Sequence, residues 1–226
     1  MTAMDAALTE DRELFRATAR SFLEHEAPLT TVRSWIDRPG GFDARWWRQA
    51  AEIGFTSFLV SEQAGGGSLS GRGLEDLLLV AEEMGRLVAP GPLVPANVVA
   101  GALSTDGTPA QRERFLPGIL SGEHVPGWSA RVQAEVVADG DDHFVLHGRA
   151  MPVEAGDRAH ALLVTASGRT GPTQFLVPVD ADGITVTPLA GTDLVRRFAR
   201  IDLDGVRVER SAVLGEVGGA GPALAR

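Results

Sequence analysis

The chain has 226 residues, enough for one large domain or two small ones with a genuine buried core. Hydrophobic residues make up 44% and charged residues 23%, ordinary values for a globular protein. A net charge of -9 excludes a nucleic-acid binder, whose surface must be basic to meet phosphates.

There is no Cys, which removes disulfides, thiolate metal sites and thiol nucleophiles. Arg supplies every Lys-type or Arg-type charge and Tyr is absent, a bias read as genomic composition. No apolar run reaches the length of a membrane span, and the acidic start lacks a basic signal-like region. A cytoplasmic protein is expected.

Thr9 is placed to cap a first helix, with Glu10 and Asp11 in its opening turn, where the helix dipole favours negative charge. Leu14, Phe15, Thr18, Phe22 and Leu23 recur at helical spacing until Pro28 ends the run. Asp43 caps a second helix bearing Trp46, Trp47, Ala50 and Ile53, closed by Gly54. Adjacent tryptophans point about 100° apart on a helix, and core packing is expected of at least one.

Glu62 to Ser68 holds three consecutive glycines but no Gly-Lys-Ser/Thr ending, so it reads as a connector rather than a phosphate loop. Leu74, Leu77, Leu78, Ala81, Met84 and Val88 form the apolar face of a third helix, with acidic residues opposite. Glu82 and Glu83 diverge on that helix and read as a solvated face. Ala89-Pro90-Gly91-Pro92 stops it, and 93–103 suits a buried helix. Thr108-Pro109-Ala110-Gln111 is a capping box opening a short helix that is expected to end at Pro117-Gly118.

From about Gly122 the apolar spacing changes to alternation. Short runs at 135–138, 144–147, 161–166, 174–179, 184–188, 199–203 and 206–208 are separated by turn signals, which predicts an antiparallel barrel or sandwich. The run from Asp141 to Gly156 reads as a strand that turns at Gly148 and breaks at Pro152. The fold class is therefore α+β, with a helical domain over 1–121 and a β domain over 122–226.

Five helices followed by a small β-barrel resembles the acyl-CoA dehydrogenase family, flavoenzymes that desaturate acyl-CoA thioesters. The wording carries the resemblance at several points. Trp46 to Phe55 is similar to the family's "W-x-x-L-A-E-L-G", and Val60 to Gly66 to its "P-E-x-x-G-G". Ala81 to Arg86 resembles "x-E-E-L-G-R", and Thr108 to Pro117 "G-T-x-E-Q-K-x-x-x-L-P". Val206-Arg207-Val208 with Val213 to Glu216 resembles "V-R-V-P-x-x-x-x-L-G-E". With Leu8 to Leu23 similar to the family's opening helix, these matches run in family order from about residue 8 to 217.

The resemblance implies FAD as cofactor, an acyl-CoA substrate, and a homo-oligomer or a heteromer with a full-length acyl-CoA dehydrogenase. The family takes its catalytic Glu from a further helical domain without counterpart in this chain, so no catalytic residue is assigned. Asp141 to Gly156 resembles "Y-x-L-N-G-x-K-M-W-I-T-N-G": Phe144, Leu146, Gly148, Met151 and Gly156 match or nearly match, and Val153 replaces Ile. Met151 and Val153 are thus the cofactor-binding candidates. The family's flavin-stacking Trp is Pro152 here, its flavin-bonding Thr is Glu154, and the following Asn is Ala155. The loop resembling "T-E-P-x-A-G-S-D" is shortened around Trp128 and Ser129, and Trp128 is expected to pack at a barrel rim.

His143 and His147 lie four apart with no third ligand at suitable spacing, so no metal site is assigned. Glu135, Glu154 and Asp157 read as solvated surface carboxylates, and Ser61 and Ser129 have no nucleophile context. Two functions are expected: an acyl-CoA dehydrogenase-like protein inactive by itself, or a non-catalytic partner subunit of a heteromeric acyl-CoA dehydrogenase.

Overall fold

The computed structural model describes residues 10–68, 70–129, 132–140 and 142–224. The expected cap Thr9 and the strand-opening Asp141 lie outside them. Six helices come first: α1 (Glu10–Glu26), α2 (Leu29–Arg33), α3 (Ala44–Glu52), α4 (Gly73–Leu87), α5 (Leu93–Asp106) and α6 (Pro109–Leu120). Eight strands follow: β1 (Pro126–Trp128), β2 (Val132–Ala138), β3 (His143–Glu154), β4 (Ala161–Gly168), β5 (Gly171–Pro178), β6 (Ile184–Leu189), β7 (Phe198–Glu209) and β8 (Val213–Leu214). A one-turn helix, α7 (Gly221–Leu224), closes the described residues. None of the described helices is long and apolar enough to cross a membrane.

The strands order as β6-β7-β3-β2-β4-β5-β8 in a mostly antiparallel sheet, and β1 and β2 each meet β4 in parallel. The sheet wraps one core in which Phe144, Leu146, Val153, Phe175, Val177, Ile201 and Val206 are buried. A second core lies among the helices and reaches Ala155, Ala161, Leu163, Leu176 and Leu214 of the β region, so the two halves pack without an intervening gap.

Both tryptophans of α3 enter that helical core. Trp46 stacks on Phe22 at 5.2 Å and donates its indole N–H to Pro90 O at 3.0 Å; Trp47 meets Phe42 edge-on. Asp43 caps the helix by accepting the Arg45 N–H at 2.7 Å.

Three expectations are corrected by the fold. First, α6 runs through Pro117 to Leu120. Proline removes one N–H and crowds the preceding turn, yet its φ is helical and its carbonyl accepts the Ser121 N–H at 2.9 Å, so the last turn persists. Second, β3 neither turns at Gly148 nor breaks at Pro152. It continues to Glu154 against β7 with register shifts at both places, which are bulges rather than ends. Gly148 has φ +144°, and a Cβ there would lie 2.1 Å from Gln133 O, so only glycine lets β2 and β3 stay paired.

Third, α4 sits rotated from its expected orientation. Leu77, Val80 and Met84 are buried, but Leu74, Leu78 and Val88 are exposed, while Asp76 and Glu83 are fully buried. Arg12, Arg16 and Arg20 recur every four residues on α1 and face these acids. Arg20 grips both Glu83 oxygens at 2.8 Å, which holds the Glu83 carboxyl below the usual range. Glu83 is therefore an inter-helix anchor and not part of a solvated face.

Candidate functional site

A mainly apolar cleft lies where the end of α4 and the start of α5 approach the end of β3. Its volume is about 280 Å³. Ala81, Met84, Val88, Leu93 and Val94 form the apolar wall; Glu154, Asp193 and Arg196 supply the polar end. Local chemistry shapes it. Val88 adopts a left-handed cap, with its N–H on Gly85 O, and ends α4. Gly91 then turns at φ +135° directly on Trp47, where a Cβ would come within 2.7 Å of the indole ring. The small residue brings the start of α5 down onto the core and leaves the cleft open beside it.

Glu154 and Arg196 form a bidentate pair. Nε donates to Oε1 at 2.7 Å and Nη2 to Oε2 at 2.9 Å, with the Glu154 side chain only 12% exposed. Asp193 positions Arg196: its Oδ1 accepts the N–H groups of Val195 and Arg196 at 2.9 and 3.0 Å. The guanidinium also lies 5.2 Å from the Phe198 ring. Its hydrogen bonds to Glu154 raise the Arg196 pKa, outweighing burial. Each cleft carboxylate thus has a partner, Glu154 in Arg196 and Asp193 in two backbone N–H groups. The arrangement suits holding an uncharged apolar group, and neither acid is poised as a free base.

The same segment ties the barrel to the helices. Arg197 donates to Ile36 O at 3.0 Å and accepts the Ala155 N–H at 2.8 Å through its own carbonyl. Asp157 accepts the Gly40 N–H with both oxygens at 3.1 Å, and Arg158 donates to Phe42 O at 2.8 Å while lying 4.5 Å over that ring.

The residues singled out in the sequence fall in different places. Met151 is 45% exposed, Val153 has its side chain in the barrel core, and neither belongs to the cleft wall. Trp128 is half-buried against the helical core. Glu135, Glu154 and Asp157 do not converge: Glu135 is exposed, Asp157 binds Gly40, and Glu154 is the paired acid of the cleft rather than a solvated surface group. His147 accepts the Gly205 N–H through Nδ1 at 3.1 Å. Ser61 Oγ pairs with Ser104 Oγ at 3.2 Å.

The glycine-rich loop is turned onto an acid of the protein itself. Burial works to raise the Asp76 carboxyl, but bonds from Ser68 Oγ (2.7 Å), Ser70 N (3.1 Å) and Ser70 Oγ (2.9 Å), with the Arg12 charge, hold it low. The Gly65, Gly66 and Gly67 N–H groups go to Glu62, Ser61 and Ser57 carbonyls. Its donors are engaged internally.

The flavin that the resemblance implies does not fit the end of β3. Pro152 has neither an N–H nor an aromatic face. Val153 turns its side chain inward, Glu154 offers an engaged carboxylate in place of a hydroxyl, and Ala155 spends its N–H on Arg197 O. Sequence reading missed Asp193 and Arg196 altogether. The run Asp193-Leu194-Val195-Arg196-Arg197 shows a charge cluster in a loop, but its partner Glu154 lies 42 positions away.

Comparisons with known proteins agree with this architecture. Residues 9–123 match the family model described as acyl-CoA dehydrogenase, N-terminal domain. Acyl-CoA dehydrogenase FadE12 of Mycobacterium tuberculosis is 29% identical over 235 residues, covering 88% of this chain and 58% of the relative. Among solved structures, a variant of the "Tcur3481-Tcur3483 steroid ACAD" superposes with TM-score 0.78 and 31% identity, over 92% of this chain and 58% of that one. The ChsE4-ChsE5 complex from Mycobacterium tuberculosis shares the fold with TM-score 0.83 at 24% identity, over 95% of this chain and 59% of that one. The chain thus spans somewhat under two thirds of the length of these relatives. With the family model spanning the helical half, and helices and sheet superposing together, the chain belongs to the acyl-CoA dehydrogenase family.

Proposed function

We propose that this chain is an acyl-CoA dehydrogenase-like protein that does not desaturate acyl-CoA by itself and serves as a non-catalytic subunit beside a full-length family member. The Glu154–Arg196 pair carries this reading. It occupies the cleft end of the strand whose family counterpart bonds the flavin, and puts an engaged carboxylate where that counterpart has a hydroxyl. The ChsE4-ChsE5 complex and the Tcur3481-Tcur3483 steroid ACAD supply precedent for two-component assemblies.

In this reading an acyl-CoA, fatty or sterol-derived, is the ligand class, and the apolar wall from Ala81 to Val94 faces its hydrocarbon part. Where the assembly brings a flavin to β3, Met151 is the side chain we expect it to touch, and Val153 meets it by backbone alone. The family reaction passes electrons to FAD, and the chain described here contributes binding surface rather than a proton acceptor.

A dye-reduction assay with acyl-CoA tests the reading. The purified chain should give no turnover with added FAD, and turnover should appear on mixing with a full-length acyl-CoA dehydrogenase from the same organism. Acyl-CoA-dependent bleaching of a flavin on this chain alone would refute it.

A further inference from the structure

The polar end of the cleft sets two acids against one base. Glu154 takes two donors of Arg196, Nε on Oε1 at 2.7 Å and Nη2 on Oε2 at 2.9 Å, and Asp193 lines the same end. An apolar wall leading to an arginine is otherwise suited to a carboxylate-tipped chain, because the guanidinium fork matches a carboxylate in shape and charge. Here a carboxylate of the chain itself already sits in the fork.

Both partners are held in place. The Glu154 side chain is only 12% exposed, and the next residue, Ala155, gives its N–H to Arg197 O at 2.8 Å, joining strand to loop beside the pair. On the loop side, Asp193 Oδ1 accepts the Val195 and Arg196 N–H groups, and Arg197 donates to Ile36 O at 3.0 Å. A Cβ built on Gly41 would lie 2.8 Å from Val195 O, so the loop rests directly on the helical half. Neither partner is free to swing aside for an incoming group.

We infer that Glu154 is a specificity-determining residue: it is the resident occupant of the Arg196 fork and closes the cleft to hydrocarbon chains that end in a carboxylate, leaving uncharged apolar ones as its ligands. The inference deepens the proposed function and rests on its reading that the cleft faces the hydrocarbon part of an acyl ligand. Discrimination of this kind needs a repulsive element as well as a fit. An incoming carboxylate meets two acids, one of them largely shielded from water, and finds two donors of the fork spent. An uncharged chain meets the wall of Met84, Val88, Leu93 and Val94 without that penalty.

Titration calorimetry of the whole purified chain with methyl hexyl ketone and with octanoate, equal in carbon count and unlike in charge, tests the assignment. The wild type should bind the ketone, and octanoate about 10-fold more weakly. Glu154→Ala should reverse the order, because octanoate takes the vacated place on Arg196 and gains roughly 30-fold. Adding Arg196→Met to Glu154→Ala should abolish that gain, which a mere loosening of the cleft would leave in place. If Glu154→Ala does not fold, Glu154→Gln keeps the shape, removes the charge and should gain roughly 10-fold for octanoate. A wild type that takes octanoate as readily as the ketone overturns the inference while the apolar-ligand reading stands. So does a Glu154 variant that gains no octanoate affinity, or gains it without Arg196. Absence of binding by either probe to the wild type removes the apolar-ligand reading and this inference together, whereas the partner reading is decided separately by the dye-reduction mixture.

Discussion

Arg20 on α1 closes on both carboxylate oxygens of Glu83 on α4, and the acid end of this pair is fully buried. Arg16 and Arg86 stand 3.8 Å from the same carboxylate. Glu83→Gln should therefore destabilise the protein by on the order of 2 kcal/mol, because a fully buried site loses the charge that holds its paired bonds to Arg20. Glu82→Gln, at an exposed site, should change stability by less than about 1 kcal/mol. Urea denaturation of both variants checks the contrast. The Glu83 pKa is lowered by the Arg20 hydrogen bond, so this stabilisation is full above the unfolded carboxyl pKa and declines as pH falls through the folded value.

His160 makes the joint between the halves sensitive to pH. Its Nδ1 accepts the Val125 N–H at 3.0 Å, and its backbone N–H donates to Val125 O at 2.8 Å. Burial foremost, then the neighbouring His124 and Arg158, lowers its pKa, against the raising effect of the Val125 bond. A lowered histidine pKa means the unfolded chain binds the proton first. The contribution is complete above the ordinary value of about 6.5 and is lost as pH falls from there through the folded pKa. Melting temperatures from pH 7.5 to 5 should fall more steeply for wild type than for His160→Gln.

Gly148→Ala should cost roughly 3 kcal/mol, from a positive φ together with a methyl group driven onto the Gln133 carbonyl. The damage should fall on the β2–β3 pairing. Loss of amide protection at 134 and 148, measured by hydrogen exchange, is the readout.

Gln111 joins the helices to the last strand. Its Oε1 accepts the Thr108 N–H at 2.9 Å, and its Nε2 donates to Ser211 O and Val213 O at 2.9 and 2.8 Å. Gln111→Ala leaves those groups without this partner and should cost about 2–3 kcal/mol. Faster amide exchange in β8, with little change in β3, would identify the joint as local.

Much of the helical half was legible because its signals are short-range. Thr108 and Gln111 form their capping box within three residues, and Asp43 caps α3 two residues away. The β half was legible in its alternation but not in its continuity. Gly148 and Pro152 are strand breakers by local propensity, and only the pairing of β3 with β7 shows that they mark bulges. Charge was the poorest guide. Glu83 reads as solvated until Arg20, 63 residues away, is seen to cover it, and Glu154 until Arg196 arrives from a loop. The apolar face assigned to α4 illustrates a further limit: periodicity identifies the stripe but not which of two stripes the monomer buries. Met151 and Val153 were named by resemblance, and burial separates them, one half exposed and the other in the core.

Under the proposed function, the Glu154–Arg196 pair stands at the end of β3 in place of flavin bonding, and any flavin in the assembly belongs to the full-length partner. Flavin absorbance per mole of purified complex measures this directly. One FAD per pair of unlike chains, and none on this chain alone, is the expected result. Two FAD per pair, or a stoichiometric flavin on the isolated chain, would contradict it.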